Sequence, residues 1–236
     1  MNYSEQVILV TGSSTGIGKE LVEYFLEKGA IVLGFSRRPF SLPSSRYYHF
    51  ICDVSDPSSV QKAFKNIRSD SHQITALINN AGVLSTFSSL LIPPRFVQEM
   101  VNTNFLGSFL VTQECAKMMT RQKFGRIIGI SSMAELLEPI GDAIYTATKA
   151  AATSVNNSLA KELAPYGITC NTLAITHIAT EMSDKINHKL LDSVIDSLPL
   201  PRSATIQDIT NVIDFYMNPN SSYITGQFIA LGGLHN

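Results

Sequence analysis

The sequence lacks a surplus of either charge: 18 Lys and Arg stand against 19 Asp and Glu, a net charge of −1 over 236 residues. Such a chain has no bulk field to draw it to nucleic acid or to an anionic membrane. Cysteine is scarce as well. Cys52, Cys115 and Cys170 are odd in number, far apart and without a C-x-x-C pair, which argues against a disulfide framework, a metal site or a dithiol centre. No uncharged apolar stretch approaches the roughly 18 residues of a membrane span. The six-residue polar lead into Val7 is too short for a secretory h-region and has no basic flank. These absences predict a cytoplasmic protein with no metal and no nucleic-acid or membrane partner. Repeats, low-complexity tracts and linkers are missing too, the turn-rich residues 41–45 being too few to divide the chain, so one domain over 1–236 is expected.

What is present is a 44% hydrophobic content arranged in short runs. Apolar or β-branched stretches recur at Val7–Thr11, Ile31–Ser36, Tyr48–Ile51, Ile74–Asn79, Arg126–Ser132, Ile168–Ala174 and Gln227–Leu231. Most are separated by segments of helical period: Gly16 to Lys28 before Gly29, one opened by Pro57, one running from Pro93-Pro94 to about Gln122, and one from about Ala143 to Tyr166. Strands that are apolar throughout, not at alternate positions, are buried on both faces. The alternation therefore predicts an α/β fold, a doubly wound (Rossmann) parallel sheet of about seven strands with helices on both faces and right-handed crossovers.

After the first strand comes Thr11-Gly12-Ser13-Ser14-Thr15-Gly16-Ile17-Gly18, a glycine-rich turn opening a helix. Backbone N–H groups and the helix dipole can meet a pyrophosphate there, and Gly12, Ser14, Thr15, Gly16, Ile17 and Gly18 are its candidate contacts. The spacing departs from G-x-G-x-x-G, and alone it could be an ordinary βα turn. The second strand ends in Arg37-Arg38, where an acidic residue would read a free ribose 2′-hydroxyl and an arginine accommodates a 2′-phosphate. Arg37 thus points to NADP(H) in preference to NAD(H), unless the pair is merely solvated. Asp53 and Val54 follow the third strand, and Asn80, Ala81 and Gly82 the fourth. Asp53 could accept from the adenine amino group, and the small Ala81 and Gly82 would let the backbone lie against the adenine ribose.

Tyr145 and Lys149 lie four apart in a run of good helix formers and so share one face. An adjacent ammonium is expected to lower the phenol's usual pKa near 10 and activate it. Ser132 stands thirteen residues earlier at a strand end. The combination suggests that Ser132 polarises a carbonyl, Tyr145 donates the proton, and a nicotinamide supplies hydride while Lys149 holds its ribose. Singly, Y-x-x-x-K is weak. The order of glycine turn, N-N-A-G, serine at a strand end, then tyrosine and lysine is what makes coincidence implausible.

With T-G-S-S-T-G-I-G, N-N-A-G and Y-x-x-x-K in place, the sequence resembles the short-chain dehydrogenase/reductase family from Val7 to Gly233. The resemblance adds Asn104 as the fourth catalytic residue, in a locally distorted helix whose carbonyl holds a water beside the lysine. It also aligns Ile178 and Thr180 with contacts to the cofactor's carboxamide and phosphates. Where the family carries Pro-Gly this chain has Ile175-Thr176, with His177 next to it. β-Branched threonine gives up the positive φ open to glycine, so a rerouted backbone is expected there.

An amphipathic stretch at about 181–202 would be either a substrate lid or ordinary core. Within the family the sequence is similar to 3-oxoacyl-(acyl-carrier-protein) reductases, which implies a small carbonyl or alcohol substrate and admits an acyl-carrier-linked one. Of the two basic residues that assist carrier docking in those enzymes, one falls on Lys123 and the other on Tyr166, which weakens that case. A secondary-alcohol or sugar dehydrogenase and a nucleotide-binding regulator are the competing readings. Family analogy also implies a homotetramer or homodimer, with interfaces made by the two long helices and by the C-terminal strand.

Overall fold

The computed structural model describes residues 1–176, 178, 195, 196 and 198–233. Seven strands, β1 (Val7–Thr11), β2 (Ile31–Ser36), β3 (Tyr47–Ile51), β4 (Ala76–Asn79), β5 (Gly125–Ser132), β6 (Ile168–Ile175) and β7 (Phe228–Ala230), form one sheet in the order β3-β2-β1-β4-β5-β6-β7. Every pairing is parallel. Among the described residues the α-helices with defined bounds are α1 (Gly16–Glu27), α2 (Pro57–Ser69), α3 (Pro94–Met100), α4 (Ser108–Gln122), α5 (Ala134–Leu137), α6 (Ala143–Leu163) and α7 (Ile206–Met217).

The two-faced burial read from the sequence has a direct structural basis. Along β1, Ile8 and Val10 pack into one core with Leu21, Val22 and Phe25 of α1 and Ile209 and Ile213 of α7. Leu9 between them joins the opposite core, with Val60 and Phe64 of α2, Val111 and Cys115 of α4 and Ala160 of α6. Successive strand residues point to opposite faces, so a strand covered on both sides is apolar at every position. All three cysteines are buried and free. Asp56 caps α2 by accepting from the N–H of Ser58 at 2.9 Å, and Pro57 occupies the first turn, where its missing N–H costs nothing.

The order in which the chain adds strands reverses between β1 and β4, which opens a crevice at their carboxyl ends. β4 starts at Ala76, two residues later than the apolar pattern suggests; just before it the Thr75 hydroxyl accepts from the Val7 N–H at 3.0 Å and the Thr75 N–H donates to the Val7 carbonyl at 2.9 Å. The long helix expected up to Gln122 is divided: Val101–Gly107 is π-helical between α3 and α4. There the helix meets the loop after β3 so closely that a Cβ on Gly107 would lie 2.9 Å from the Val54 carbonyl oxygen. Among the described residues no helix is long and apolar enough to cross a membrane. Of the stretch 181–202, only 195, 196 and 198–202 are among the described residues.

Candidate active site

A crevice of about 290 Å³ runs along the carboxyl edge of the sheet. Its floor at one end is the glycine-rich turn, with Gly12, Ser14, Thr15, Gly16 and Ile17 all on its wall. Gly12 sits at φ +68, and a Cβ there would meet Asn80 Nδ2 at 3.0 Å and Ala81 Cα at 3.1 Å, so glycine is required twice over. Gly18 lies behind the turn instead of on the wall; a Cβ on it would be 2.1 Å from the Gly12 carbonyl oxygen. Thr11 clamps the two loops together. Its hydroxyl accepts from the N–H groups of Asn80 at 3.0 Å and Ala81 at 2.9 Å, and its carbonyl accepts from Asn80 Nδ2 at 3.0 Å. Thr15, the residue before α1, makes no side-chain cap, and Thr15, Gly16 and Ile17 all line the crevice, so the start of the helix is presented to it.

At the end of β2, Arg37 and Arg38 are exposed and line the crevice. The Arg38 carbonyl is held by Ser36 Oγ at 2.7 Å and His49 Nε2 at 3.0 Å. A carbonyl only accepts, so the His49 proton is on Nε2, and Nδ1 accepts from the Tyr47 hydroxyl at 3.1 Å. Burial lowers the His49 pKa, with the Arg38 carbonyl opposing it, which favours this neutral form. Asp53 and Val54 also line the wall. Asp53 Oδ1 is engaged by the Ser55 N–H at 2.9 Å and the Ser55 hydroxyl at 2.6 Å.

Toward the other end, β5 delivers Ser132 and α6 delivers Tyr145 and Lys149, the last two both on the crevice wall. Ser132 acts on the Tyr145 phenol, favouring its ionised form, and its Oγ accepts from the Ala134 N–H at 3.2 Å. Lys149 is 7% exposed; its Nζ donates to the Ile130 carbonyl at 2.9 Å and lies 5.8 Å from the centre of the Tyr145 ring. The expected lowering of the tyrosine pKa is not found in this structure. Burial raises it, the Asp142 charge adds to the rise, and Ser132 opposes them. Burial acts on the lysine too, bringing it down to about 8 against a smaller opposing effect of Glu135. The reason is geometric: the ammonium is turned to the Ile130 carbonyl, and desolvation outweighs its field at the phenol.

Asn104 is buried within the π-helical segment, at the distortion that the family resemblance implies. Its Oδ1 accepts from the Val83 N–H at 2.8 Å, and its Nδ2 donates to the Val83 carbonyl at 2.9 Å and to Thr148 Oγ1 at 3.1 Å. Ala81 and Gly82 complete this wall.

Ile175 closes β6, its carbonyl accepting from Met133 N–H at 2.8 Å, and Thr176 is buried. Thr176 is absent from the described residues with positive φ. Ile178 packs its side chain into the core beneath α1 and α7 and does not line the crevice. His177 and Thr180 lie outside the described residues. Lys123 and Tyr166 are exposed just before β5 and β6, at the amino edge of the sheet, opposite the crevice.

Four residues that shape this site were not singled out by sequence pattern: Thr11, His49, Thr148 and Glu135. Thr11 was visible as the first letter of the glycine motif. The others act through contacts between elements distant in sequence, and no local spacing marks them.

Comparison with known proteins agrees with this geometry. The family profile described as short chain dehydrogenase matches residues 6–191. A 3-oxoacyl-(acyl-carrier-protein) reductase FabG of Aquifex aeolicus is 31% identical, covering 97% of this chain and 96% of its own. The corresponding FabG of Salmonella typhimurium is 28% identical, covering 99% and 98%. Among solved structures, a proposed gluconate dehydrogenase from Agrobacterium tumefaciens superimposes with TM-score 0.89 at 25% identity, covering 98% of this chain and 96% of that one. The ligand-free aldohexose dehydrogenase of Thermoplasma acidophilum gives TM-score 0.88 at 24% identity, covering 99% and 96%, and shows the shared fold.

Proposed function

Because this chain belongs to the short-chain dehydrogenase family and is thus an oxidoreductase of CH–OH and C=O groups, we propose that it is an NADP(H)-dependent reductase of a ketone. The observation that carries this reading is the placement of Tyr145 and Lys149 on one crevice wall, with Ser132 acting on the phenol from the end of β5 and the glycine-rich turn at the far end. The crevice fits a dinucleotide: Gly12 is stripped of a side chain where the wall is tightest, and the start of α1, which has no side-chain cap, offers N–H groups to a pyrophosphate. Gly12, Ser14, Thr15, Gly16 and Ile17 would hold the diphosphate, with Gly18 giving the turn its depth. Asp53, Val54, Asn80, Ala81 and Gly82 would flank the adenosine, and Arg37 would pair with a 2′-phosphate, leaving NAD(H) as the weaker ligand. Ile178 and Thr180 are kept as the nicotinamide-side contacts, Ile178 through its backbone.

A bound nicotinamide supplies or accepts the hydride. The protein's own groups manage the oxygen. The Ser132 hydroxyl, which acts on the Tyr145 phenol, donates to the substrate oxygen and polarises it. Tyr145 keeps its proton at neutral pH, since burial raises its pKa, and is thereby a general acid for the oxygen as it becomes an alcohol. Lys149 offers positive charge to the phenolate that results, and Asn104 fixes the loop at Val83 against α6. The reductive direction rests on the FabG relatives, whose names describe reductases. The likeness to sugar and gluconate dehydrogenases favours, as a second reading, oxidation of a secondary alcohol. A cytoplasmic homotetramer or homodimer, assembled through α4, α6 and β7, accompanies the main reading.

Titration of the purified protein with NADPH and NADH, repeated on Arg37→Ala, tests the cofactor assignment. NADPH is expected to bind at least about tenfold more tightly, a difference of about 1.4 kcal/mol, and Arg37→Ala to remove most of it. Equal binding of both cofactors by the wild type would refute the assignment.

A further inference from the structure

Glu135 stands on α5, three residues after Ser132, and is half-buried. Two hydroxyls donate to the same carboxylate oxygen, Oε2: that of Ser131, and that of Thr153 at 2.9 Å. Neither holder is incidental. Ser131 follows Ile130, whose carbonyl receives the Lys149 ammonium at 2.9 Å. Thr153 is one helical turn beyond Lys149, on the same face of α6. The carboxylate is thus pinned between the strand and the helix that also hold the lysine, and its charge acts on Lys149.

Resting on the reading of Tyr145 and Lys149 given above, we propose that Glu135 is a positioning residue of this site, the fixed counter-charge that keeps the buried Lys149 ammonium protonated and in place. Charged and titratable groups around Lys149 bear this out. From α6 it faces the Tyr145 phenol, which is neutral at pH 7, and Asp142 at the start of that helix acts on Tyr145. From β5 it faces the Ile130 carbonyl, from the loop after β4 Gly82, and from the π-helical segment Asn104, none of them charged. Glu135 on α5 is the carboxylate whose charge opposes the desolvation of the lysine. A buried ammonium without a counter-charge loses its proton more readily, and a neutral lysine cannot stabilise the phenolate formed when Tyr145 gives up its proton.

Glu135→Gln isolates the charge, because a glutamine amide oxygen can keep both hydrogen bonds now made to Oε2. Lys149 is titrated directly by NMR of protein carrying ¹³C-labelled lysine, its signal identified by its loss in Lys149→Met. The midpoint is expected to fall by roughly half a pH unit or more in Glu135→Gln. The alkaline limb of kcat/KM for NADPH-dependent ketone reduction is expected to move down by the same amount. Thr153→Val, which retains the charge and frees one side of it, is expected to shift the midpoint in the same direction by less, and it decides the matter if Glu135→Gln does not fold. A Lys149 midpoint unchanged in a folded Glu135→Gln overturns the proposal. If the wild type reduces no carbonyl at all, the functional reading fails, and the NMR shift still decides whether Glu135 and Lys149 are coupled.

Discussion

Asn104 binds both backbone groups of Val83, accepting from its N–H at 2.8 Å and donating to its carbonyl at 2.9 Å. A single side chain thereby reproduces a strand-like pairing between the π-helical segment and the loop that leaves β4. Its third hydrogen bond, to Thr148 at 3.1 Å, reaches the residue next to Lys149.

Asn104→Ala removes these three bonds and leaves the partly buried N–H and carbonyl of Val83 without this partner. The expected loss is about 1–3 kcal/mol of unfolding free energy, measured by chemical denaturation, together with a drop in kcat. An unchanged denaturation midpoint would show that water replaces the amide at no cost.

Two glycines separate close backbone approach from mere composition. Gly18→Ala would put a Cβ 2.1 Å from the Gly12 carbonyl oxygen and 2.6 Å from Asn80 Nδ2, so the glycine-rich turn must move. We expect a destabilisation of about 1–3 kcal/mol and a dinucleotide affinity lowered by about tenfold or more. Gly129→Ala in β5 meets nothing closer than 3.7 Å and is expected to change stability by no more than about 0.5 kcal/mol. Equal effects of the two, in binding titrations and melts, would contradict this reading of the turn.

Lys149 works at a cost to stability. Burial takes its pKa from the ordinary 10.5 to about 8, and at about 1.4 kcal/mol per tenfold change this is on the order of 3 kcal/mol. Because the folded-state value is the lower one, between about pH 8 and 10.5 the unfolded chain binds a proton that the folded chain has released. This group's contribution to stability therefore rises with pH through that window and is lost as pH falls through it. Lys149→Met is expected to be more stable than the wild type at pH 7, with the advantage shrinking toward pH 10.5. A constant difference across that range in denaturant melts would mean that the lysine's charge is not the source.

Much of this site was legible because chemistry and chain order coincide. The apolar run of β1 is unbroken from Val7 to Val10 since it is covered on both faces, and the glycine-rich turn, the N-N-A-G loop, Tyr145 and Lys149 each sit where a strand or the following helix meets the crevice, with Ser132 at the end of β5 beside it. The direction of the Tyr145 pKa was not legible. Spacing brings Tyr145 and Lys149 to one face, whereas burial and the turn of the ammonium toward Ile130 depend on how β5 packs against α6. Glu135 and His49 were missed for a related reason: each matters through a partner on another element, Thr153 in one case and the Arg38 carbonyl in the other.

Tyr145→Phe is the most direct test of the proposed chemistry, because it deletes one hydroxyl and leaves the ring that packs beside Lys149. Steady-state NADPH consumption with a ketone that the wild type reduces, measured beside NADPH binding, separates chemistry from affinity. The variant is expected to lose about 10²–10⁴-fold in kcat while its NADPH affinity stays within about threefold, less than 1 kcal/mol. Turnover at the wild-type rate by a Tyr145→Phe protein that binds NADPH normally would mean that the proton reaches the substrate oxygen from another group.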